Sequence, residues 1–262
     1  MSLRFALLGS GSQGNALVVE TASVRVLVDC GFPAREIESR LNGLGIDADS
    51  LTAILVTHEH TDHVRGLGPL ARRYDIPVWM TPGTFHGANY GKLPTLHQID
   101  SHTGWWSIGD LAVAPYPVPH DSKEPCQFLF RAAGGGTLGL LTDTGYITPH
   151  IAGILQACDS LVLEFNHDPQ MLANGSYPPT LQARVGGSHG HLNNHQAVGL
   201  LKRLQTSRLQ HVVASHLSEK NNSPGLVTEL VYQQLPDLSD RFSIASQHDV
   251  TDWFQLSITR PV

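Results

Sequence analysis

Five apolar segments of the chain are each followed at once by a histidine or a carboxylate. The five residues are His58, His120, Asp143, Glu164 and His216. Because open sheets place ligand sites beyond the carboxyl ends of their buried strands, these side chains are expected to share one edge of a sheet. Neutral imidazole and carboxylate suit divalent ions such as zinc, manganese or iron. Any one of them could be an ordinary polar group at a strand end, but together they predict a metal site.

The densest group of such residues is the motif Thr57-His58-Glu59-His60-Thr61-Asp62-His63. His58 and His60 are two residues apart on extended chain and point the same way, so they can hold one ion. Asp62 and His63 begin the helix that follows and can face a second ion. A polar loop that happens to be rich in histidine is the alternative interpretation. The order in which further candidate ligands follow along the chain favours the metal site.

Strands and helices in alternation must position these residues. Strands are predicted at residues 3–8, 17–20, 24–29, 53–56, 111–118, 127–132, 137–141, 160–163 and 211–214. Helices are predicted at residues 33–41, 67–74, 148–157 and 195–204. Because meanders occur in each half and helices lie between them, we expect two mixed sheets sandwiched between helices, an α/β arrangement. No linker or repeat divides the sequence, so residues 1–262 are expected to form one domain.

Composition excludes several classes of protein. The chain has 262 residues, of which 41% are hydrophobic and 15% charged, as in ordinary globular proteins. No apolar stretch approaches the roughly 20 residues that a membrane helix needs. Its three cysteines are widely spaced and form no disulfide framework, which suits a reducing cytoplasm. The net charge of −6 argues against a nucleic-acid partner, although bound metal ions would add positive charge at the site.

The ordered series His58-x-His60-x-Asp62-His63, His120, Asp143 and His216 resembles the metal-binding motifs of the metallo-β-lactamase superfamily. The resemblance extends over nearly the whole chain and is nearest to the YycJ (WalJ)-type branch. The segments that carry it are residues 8–15, 28–31, 120–125, 141–146, 164–168, 190–194 and 216–222. Pro119 and Asn193 depart from it, since serine is expected at both positions. The implied fold is a four-layer αββα sandwich.

The resemblance implies two divalent metal ions, zinc or manganese first and iron as a further possibility. His58, His60 and His120 would hold one ion, and Asp62, His63 and His216 the other. Asp143 would bridge the two. Asp29 is expected to orient a ligand imidazole, with a turn-forming role as the equal alternative.

Further residues receive roles from the same resemblance. Asp62 and His191 are the catalytic candidates; His191 would contact the scissile phosphate or protonate the leaving group, or else have a structural role near a helix. Substrate contacts are expected from Asn166, His167, Asn194 and Asn222. Lys123, Arg184, Lys202, Arg203 and Lys220 are candidate DNA contacts. Two local predictions come from the residues themselves: a tight turn at residues 9–14, and an Asp168 helix cap before Pro169.

The activity implied by the resemblance is that of a phosphodiesterase acting on nucleic acid, most specifically a 5′-to-3′ DNA exonuclease. The main alternative is a small-molecule hydrolase that uses the same metal site on a thioester, a lactone or a cyclic phosphodiester. A regulatory or binding protein without catalysis is the third class. The complete ligand set argues against it, since decayed sites tend to lose a ligand.

Overall fold

Apolar segments from the first part of the chain form one sheet of the computed structural model, which describes residues 3–257. Its strands are, in spatial order, β1 (Arg4–Gly9), β2 (Ala16–Glu20), β3 (Arg25–Val28), β4 (Ala53–Leu55), β5 (Val78–Met80) and β6 (Leu96–Gln98). The first three form an antiparallel meander, and β3 to β6 are parallel. The chain returns near its carboxyl end, where Phe254–Gln255 pairs antiparallel with the outer edge of β1.

The second sheet repeats this plan. Its strands are, in spatial order, β7 (Trp106–Ile108), β8 (Leu111–Pro117), β9 (Cys126–Ala132), β10 (Thr137–Leu141), β11 (Ser160–Glu164), β12 (His211–Ser215) and β13 (Phe242–Ile244). Strands β7 to β10 are antiparallel, and β10 to β13 are parallel. The Phe254–Gln255 strand of the first sheet is β14. Each sheet therefore has a parallel half whose carboxyl ends can carry a site.

Nine helices lie within residues 3–257. They are α1 (Ala34–Gly43), α2 (Thr61–Val64), α3 (Leu67–Tyr74), α4 (Pro82–Gly87), α5 (Pro149–Leu155), α6 (Pro169–Asn174), α7 (Pro179–Val185), α8 (Asn194–Leu201) and α9 (Pro224–Gln234). Five of them, α1, α3, α5, α8 and α9, pack on the outer faces of the sheets. Short 3-10 turns lie at Ala48–Ser50, Thr206–Arg208 and Pro236–Arg241. Within residues 3–257 no helix combines the length and apolar character needed to cross a bilayer.

Both faces of the sheets are buried, as a four-layer sandwich requires. In β1, Phe5 joins the apolar cluster between the sheets, while its neighbour Ala6 joins the cluster beneath α1 and α3. This follows from the alternation of side chains along a strand. A third cluster packs α5, α8 and α9 against the outer face of the second sheet. The predicted αββα architecture is confirmed.

The carboxyl ends of the central parallel strands meet at one rim of the sandwich. Asp29 follows β3, Asp143 lies just beyond β10, and His216 follows β12. All three have left-handed backbone, with φ of 61°, 50° and 55°. Aspartate and histidine tolerate this conformation better than most residues, and such strain persists only where surrounding structure fixes it. The sharp turn at each strand end is thus part of how the rim is built.

Candidate metal centre

One group of three histidines forms where the β4 and β8 strands end. The candidate ligand atoms of His58, His60 and His120 all lie within 4.8 Å of one another. His120 Nε2 is 3.2 Å from His60 Nδ1. The Nδ1 atom of His120 is occupied elsewhere, 3.1 Å from the Gly190 carbonyl oxygen. The Nε2 atom of His120 therefore faces the other histidines, while its Nδ1 atom holds the ring in place.

The second group contains Asp62, His63 and His216. Asp62 Oδ2 lies 3.6 Å from His63 Nε2 and 3.4 Å from His216 Nε2. Asp62 and His63 occupy α2, as the motif predicted, whereas His216 arrives from the other sheet. Asn15, just after the tight turn at residues 9–14, places its Nδ2 atom 3.2 Å from His63 Nε2. The turn and both sheets therefore contribute to this group.

Asp143 lies between the two groups. Its Oδ2 atom is 3.3 Å from His63 Nε2, and its Oδ1 atom is 3.5 Å from His216 Nε2 and 4.0 Å from His120 Nε2. The side chain is 2% exposed, and Thr142 donates a hydrogen bond of 2.6 Å to Oδ2. The structure brings all seven predicted ligand side chains into one cluster.

The donor chemistry of this cluster fits divalent cations. His58 Nε2 is buried and has no hydrogen-bond partner among residues 3–257, a costly arrangement unless something else engages it. Burial, and then His63, lower the pKa of His58, so its imidazole stays in the neutral form that binds metals. Burial alone would lower the pKa of His63, but Asp143 and Asp29 raise it well above its usual value. Their negative charge favours a cation here, and the fold and the cluster together indicate divalent metal binding.

Asp29 orients one of these imidazoles. Its Oδ2 atom is 2.8 Å from His63 Nδ1, and both side chains are buried. Thr57 donates to the two Asp29 oxygens, through its backbone N–H and its hydroxyl, each at 2.8 Å. The same hydroxyl is 3.0 Å from His58 Nδ1. One carboxylate and one hydroxyl therefore set the rings of two candidate ligands in different groups.

Glu164, one of the five strand-end residues, lies beside the cluster but was not among the predicted ligands. It is fully buried, with Oε1 2.8 Å from His191 Nδ1 and 3.3 Å from His216 Nδ1. Its Oε2 atom accepts hydrogen bonds from the backbone N–H groups of Leu192 and Thr144. Burial alone would raise the pKa of Glu164, but His191 and His216 outweigh it and lower the pKa to about 2. The feature of the sequence that pointed to Glu164 was its position directly after an apolar strand.

A cavity of about 360 Å³ opens over the cluster. Its lining includes residues of the cluster and of the segments around it: Asp62, Asp143, His191, His216, Arg184 of α7 and Tyr177. Arg184 Nε donates to Asp121 Oδ2 at 2.5 Å, which ties α7 to the segment after β8. Helix α7 buries none of its residues, so it projects over the site without a core of its own.

Four residues were predicted to contact the substrate. Asn166 lines the cavity, whereas Asn194, Asn222 and His167 are not part of its lining. Asn194 and Asn222 are buried and exchange two amide hydrogen bonds, of 3.0 and 2.9 Å. His167 is 3% exposed and lies against Asn166, with 3.3 Å between Nδ1 and Oδ1. These three side chains support the loops from within, and their role as substrate contacts stays a prediction.

The predicted helix cap at Asp168 is confirmed, and α8 has a similar cap. Asp168 caps α6 by accepting from the N–H groups of Gln170 and Met171, with Pro169 in the first turn. Asn193 caps α8 in a capping box with Gln196. Asn193 therefore replaces the expected serine with another good cap. Pro119, the other departure, accepts from the Gly145 N–H at 2.8 Å and joins the His120 and Asp143 loops.

The candidate DNA-contacting cations are spread over the surface. Arg184 lines the cavity, and Lys220 lies over the ring of Tyr177, 5.7 Å from its centroid. Lys123 is exposed beside the His120 loop, and Lys202 donates to Gln234 on α9. The structure thus brings Arg184 and Lys220 to the cavity region.

The sandwich and the histidine–aspartate cluster define a metal-dependent hydrolase, and the chain belongs to the family of the β-lactamase superfamily domain, whose profile matches residues 24–216. Exodeoxyribonuclease YycJ of Bacillus anthracis is 34% identical over 255 residues, covering 96% of both chains. Exodeoxyribonuclease WalJ of Streptococcus pneumoniae is 33% identical over 242 residues, covering 90% of this chain and 89% of the relative. The metallo-β-lactamase fold protein YhfI from Bacillus subtilis superposes with a TM-score of 0.75 at 16% identity, covering 97% of this chain and all of YhfI, which shows the shared fold.

Proposed function

We propose that the chain is a metal-dependent exodeoxyribonuclease that removes nucleotides from the 5′ end of DNA. The observation that carries the proposal is one cavity whose lining includes four residues of the cluster together with His191 and Arg184. Two relatives named as exodeoxyribonucleases, similar over at least 89% of their length, support the choice of DNA. The volume of about 360 Å³ is that of a site for one nucleotide-sized group, which favours action at a strand end.

We assign two divalent ions, zinc or manganese first, to the cluster. His58, His60 and His120 would hold one, and Asp62, His63 and His216 the other, with Asp143 shared. Such a pair of ions activates water near neutral pH and stabilises negative charge on a phosphoryl oxygen. Asp62 has a side chain 24% exposed, far more than Asp143 at 2%, so it is the carboxylate best placed to take a proton from the attacking water.

His191 is assigned the proton transfer to the leaving oxygen. Its Nδ1 atom is 2.8 Å from the Glu164 carboxylate, which holds the ring in place. The side chain is 19% exposed at the cavity wall, so the second nitrogen, Nε2, is the one available to a substrate. An imidazole that is oriented by a carboxylate is widely used to transfer protons in enzymes.

Arg184 is assigned to the substrate phosphate. Its guanidinium pairs with Asp121 at the cavity wall, and a DNA phosphate would compete for the same donors. Lys220 and Tyr177 offer a second cation and an aromatic face at the same cavity. Arg184 and Lys220 would thus offer a DNA phosphate two cations in a chain whose net charge is −6.

The test is a digestion of double-stranded DNA labelled at either its 5′ or its 3′ end, with manganese or with a chelator. We expect release of the 5′ label as mononucleotides in the presence of metal, and none with the chelator. Asp143→Ala should be inactive, while His150→Ala, at an exposed position outside the cluster, should be fully active. Turnover of thioester, lactone or cyclic phosphodiester substrates without any DNA cleavage would replace this proposal with the small-molecule alternative.

A further inference from the structure

The structure contains a second groove, with a volume of about 430 Å³. Its walls continue the two loops that carry Asp143 and His191, because Tyr146 and Asn193 line it. Two residues span at most about 7 Å and three about 11 Å, so the groove begins close to both site residues. We call it the flanking groove and define it by Tyr146, Ile147, Asn193, His195, Gln196 and Arg203.

The side chains of the flanking groove suit a nucleic-acid strand. Tyr146 is 44% exposed and is one of three exposed aromatic side chains among residues 3–257, with Trp105 and Tyr232. Arg203 and His195 are exposed, and Arg203 takes part in none of the arginine–carboxylate ion pairs within residues 3–257. The residues that line the groove include no aspartate or glutamate, in a chain with 23 acidic and 17 basic residues. An aromatic face beside an unpaired cation is the composition of a single-strand binding surface.

The loop that presents Tyr146 is held in place. Gly145 donates its N–H to the Pro119 carbonyl at 2.8 Å, and the Thr144 hydroxyl donates to the Tyr146 carbonyl at 3.2 Å. A Cβ atom at Gly145 would lie 2.1 Å from the Ser188 carbonyl oxygen, so this backbone packs directly on the neighbouring loop. The tyrosine ring is therefore displayed by a fixed backbone, which lowers the entropy lost when a base stacks on it.

We propose that the flanking groove binds the nucleotides next to the one in the catalytic cavity, as single-stranded nucleic acid. A base stacks on the Tyr146 ring, and a backbone phosphate pairs with Arg203. This inference rests on the proposed function, because it extends the same substrate beyond the catalytic cavity. It also assigns His195 and Gln196, on the first turn of α8, as polar neighbours of the bound strand.

The first test measures binding without cleavage. A fluorescent single-stranded oligonucleotide with phosphorothioate linkages is titrated with the metal-loaded chain, and anisotropy gives its dissociation constant. Tyr146→Ala should weaken binding about 5- to 150-fold, the range for loss of one stacked base, while Tyr146→Phe should bind like the wild type. Tyr232→Ala is the matched control, because Tyr232 is 46% exposed on α9 outside the groove. Arg203→Ala should weaken binding and reduce its dependence on salt.

The second test separates the flanking groove from the catalytic site. Turnover of a small nitrophenyl phosphodiester should be unchanged in Tyr146→Ala, since that substrate does not reach the groove. Equal oligonucleotide affinity for Tyr146→Ala and wild type would overturn the proposal, as would an equal loss in Tyr232→Ala or a parallel loss of nitrophenyl turnover. If the wild type cleaves no DNA, the proposed function fails, and the groove is then judged on oligonucleotide binding alone.

Discussion

Replacing His191 with alanine tests the chemistry of the site at a single imidazole. The change leaves Glu164 with hydrogen bonds from Leu192 and Thr144 and with His216 at 3.3 Å, so the carboxylate keeps its partners. We therefore expect the metal content and the thermal midpoint of unfolding to stay close to those of the wild type. The loss should appear in the chemical step.

The size of that loss follows from the assigned role. General acid catalysis contributes about 10²–10⁴-fold, or about 3 to 5 kcal/mol of barrier at 1.36 kcal/mol for each factor of ten. DNA has a poor leaving group that needs the proton, so its cleavage by His191→Ala should slow by about this factor. A nitrophenyl phosphodiester has a leaving group that departs unprotonated, so its cleavage should slow much less.

The assay compares kcat/KM of both substrates for wild type, His191→Ala and His189→Ala. His189 is an exposed histidine two residues away and serves as the matched control, with wild-type rates expected on both substrates. Equal losses on the two substrates would refute the acid role and leave charge stabilisation or structure as the function of His191. A metal content that falls in parallel would place His191 among the metal ligands instead.

Four other changes test the remaining parts of the account. Asp29→Asn should weaken metal affinity about 10- to 100-fold, measured by chelator competition, because the carboxylate no longer orients His63. Phe128→Ala should lower the free energy of unfolding by about 3–5 kcal/mol in urea titrations, since this ring is fully buried between the sheets. Asp168→Ala should cost about 0.5–2 kcal/mol by the same measurement and leave DNA cleavage unchanged, because it removes only a helix cap. Removing metal with a chelator should lower the thermal midpoint of unfolding, since the ions bind the folded chain; an unchanged midpoint would contradict a metal held by seven protein ligands.

The parts of the fold that sequence predicted are those with a strong apolar pattern. The strand predicted at residues 137–141 coincides with β10, because every residue of that segment is buried. Helix α7 was not predicted, since it buries none of its residues and therefore has no apolar periodicity to detect. The short edge strand β6 was not predicted either, because two of its three residues are exposed.

The candidate site likewise contains residues that could be predicted from the sequence and contacts that could not. Ligand candidates were visible because each follows an apolar strand or sits in the dense motif at residues 57–63. The pairing of Asn194 with Asn222 was not visible, because 28 residues separate two amides that satisfy each other only in the folded chain. Glu164 was visible as a strand-end carboxylate, but its link to His191 spans 27 residues and depends on the loop geometry.

The metal content of the chain tests the central claim most directly. Metal analysis of the purified wild type, combined with DNA cleavage at increasing metal, should give about two transition-metal ions per chain, with full activity only when both are bound. Asp143→Ala should lose at least one ion and all hydrolysis, because the shared ligand between the two groups is gone. A single bound ion that survives Asp143→Ala, or DNA cleavage that persists without metal, would contradict the account.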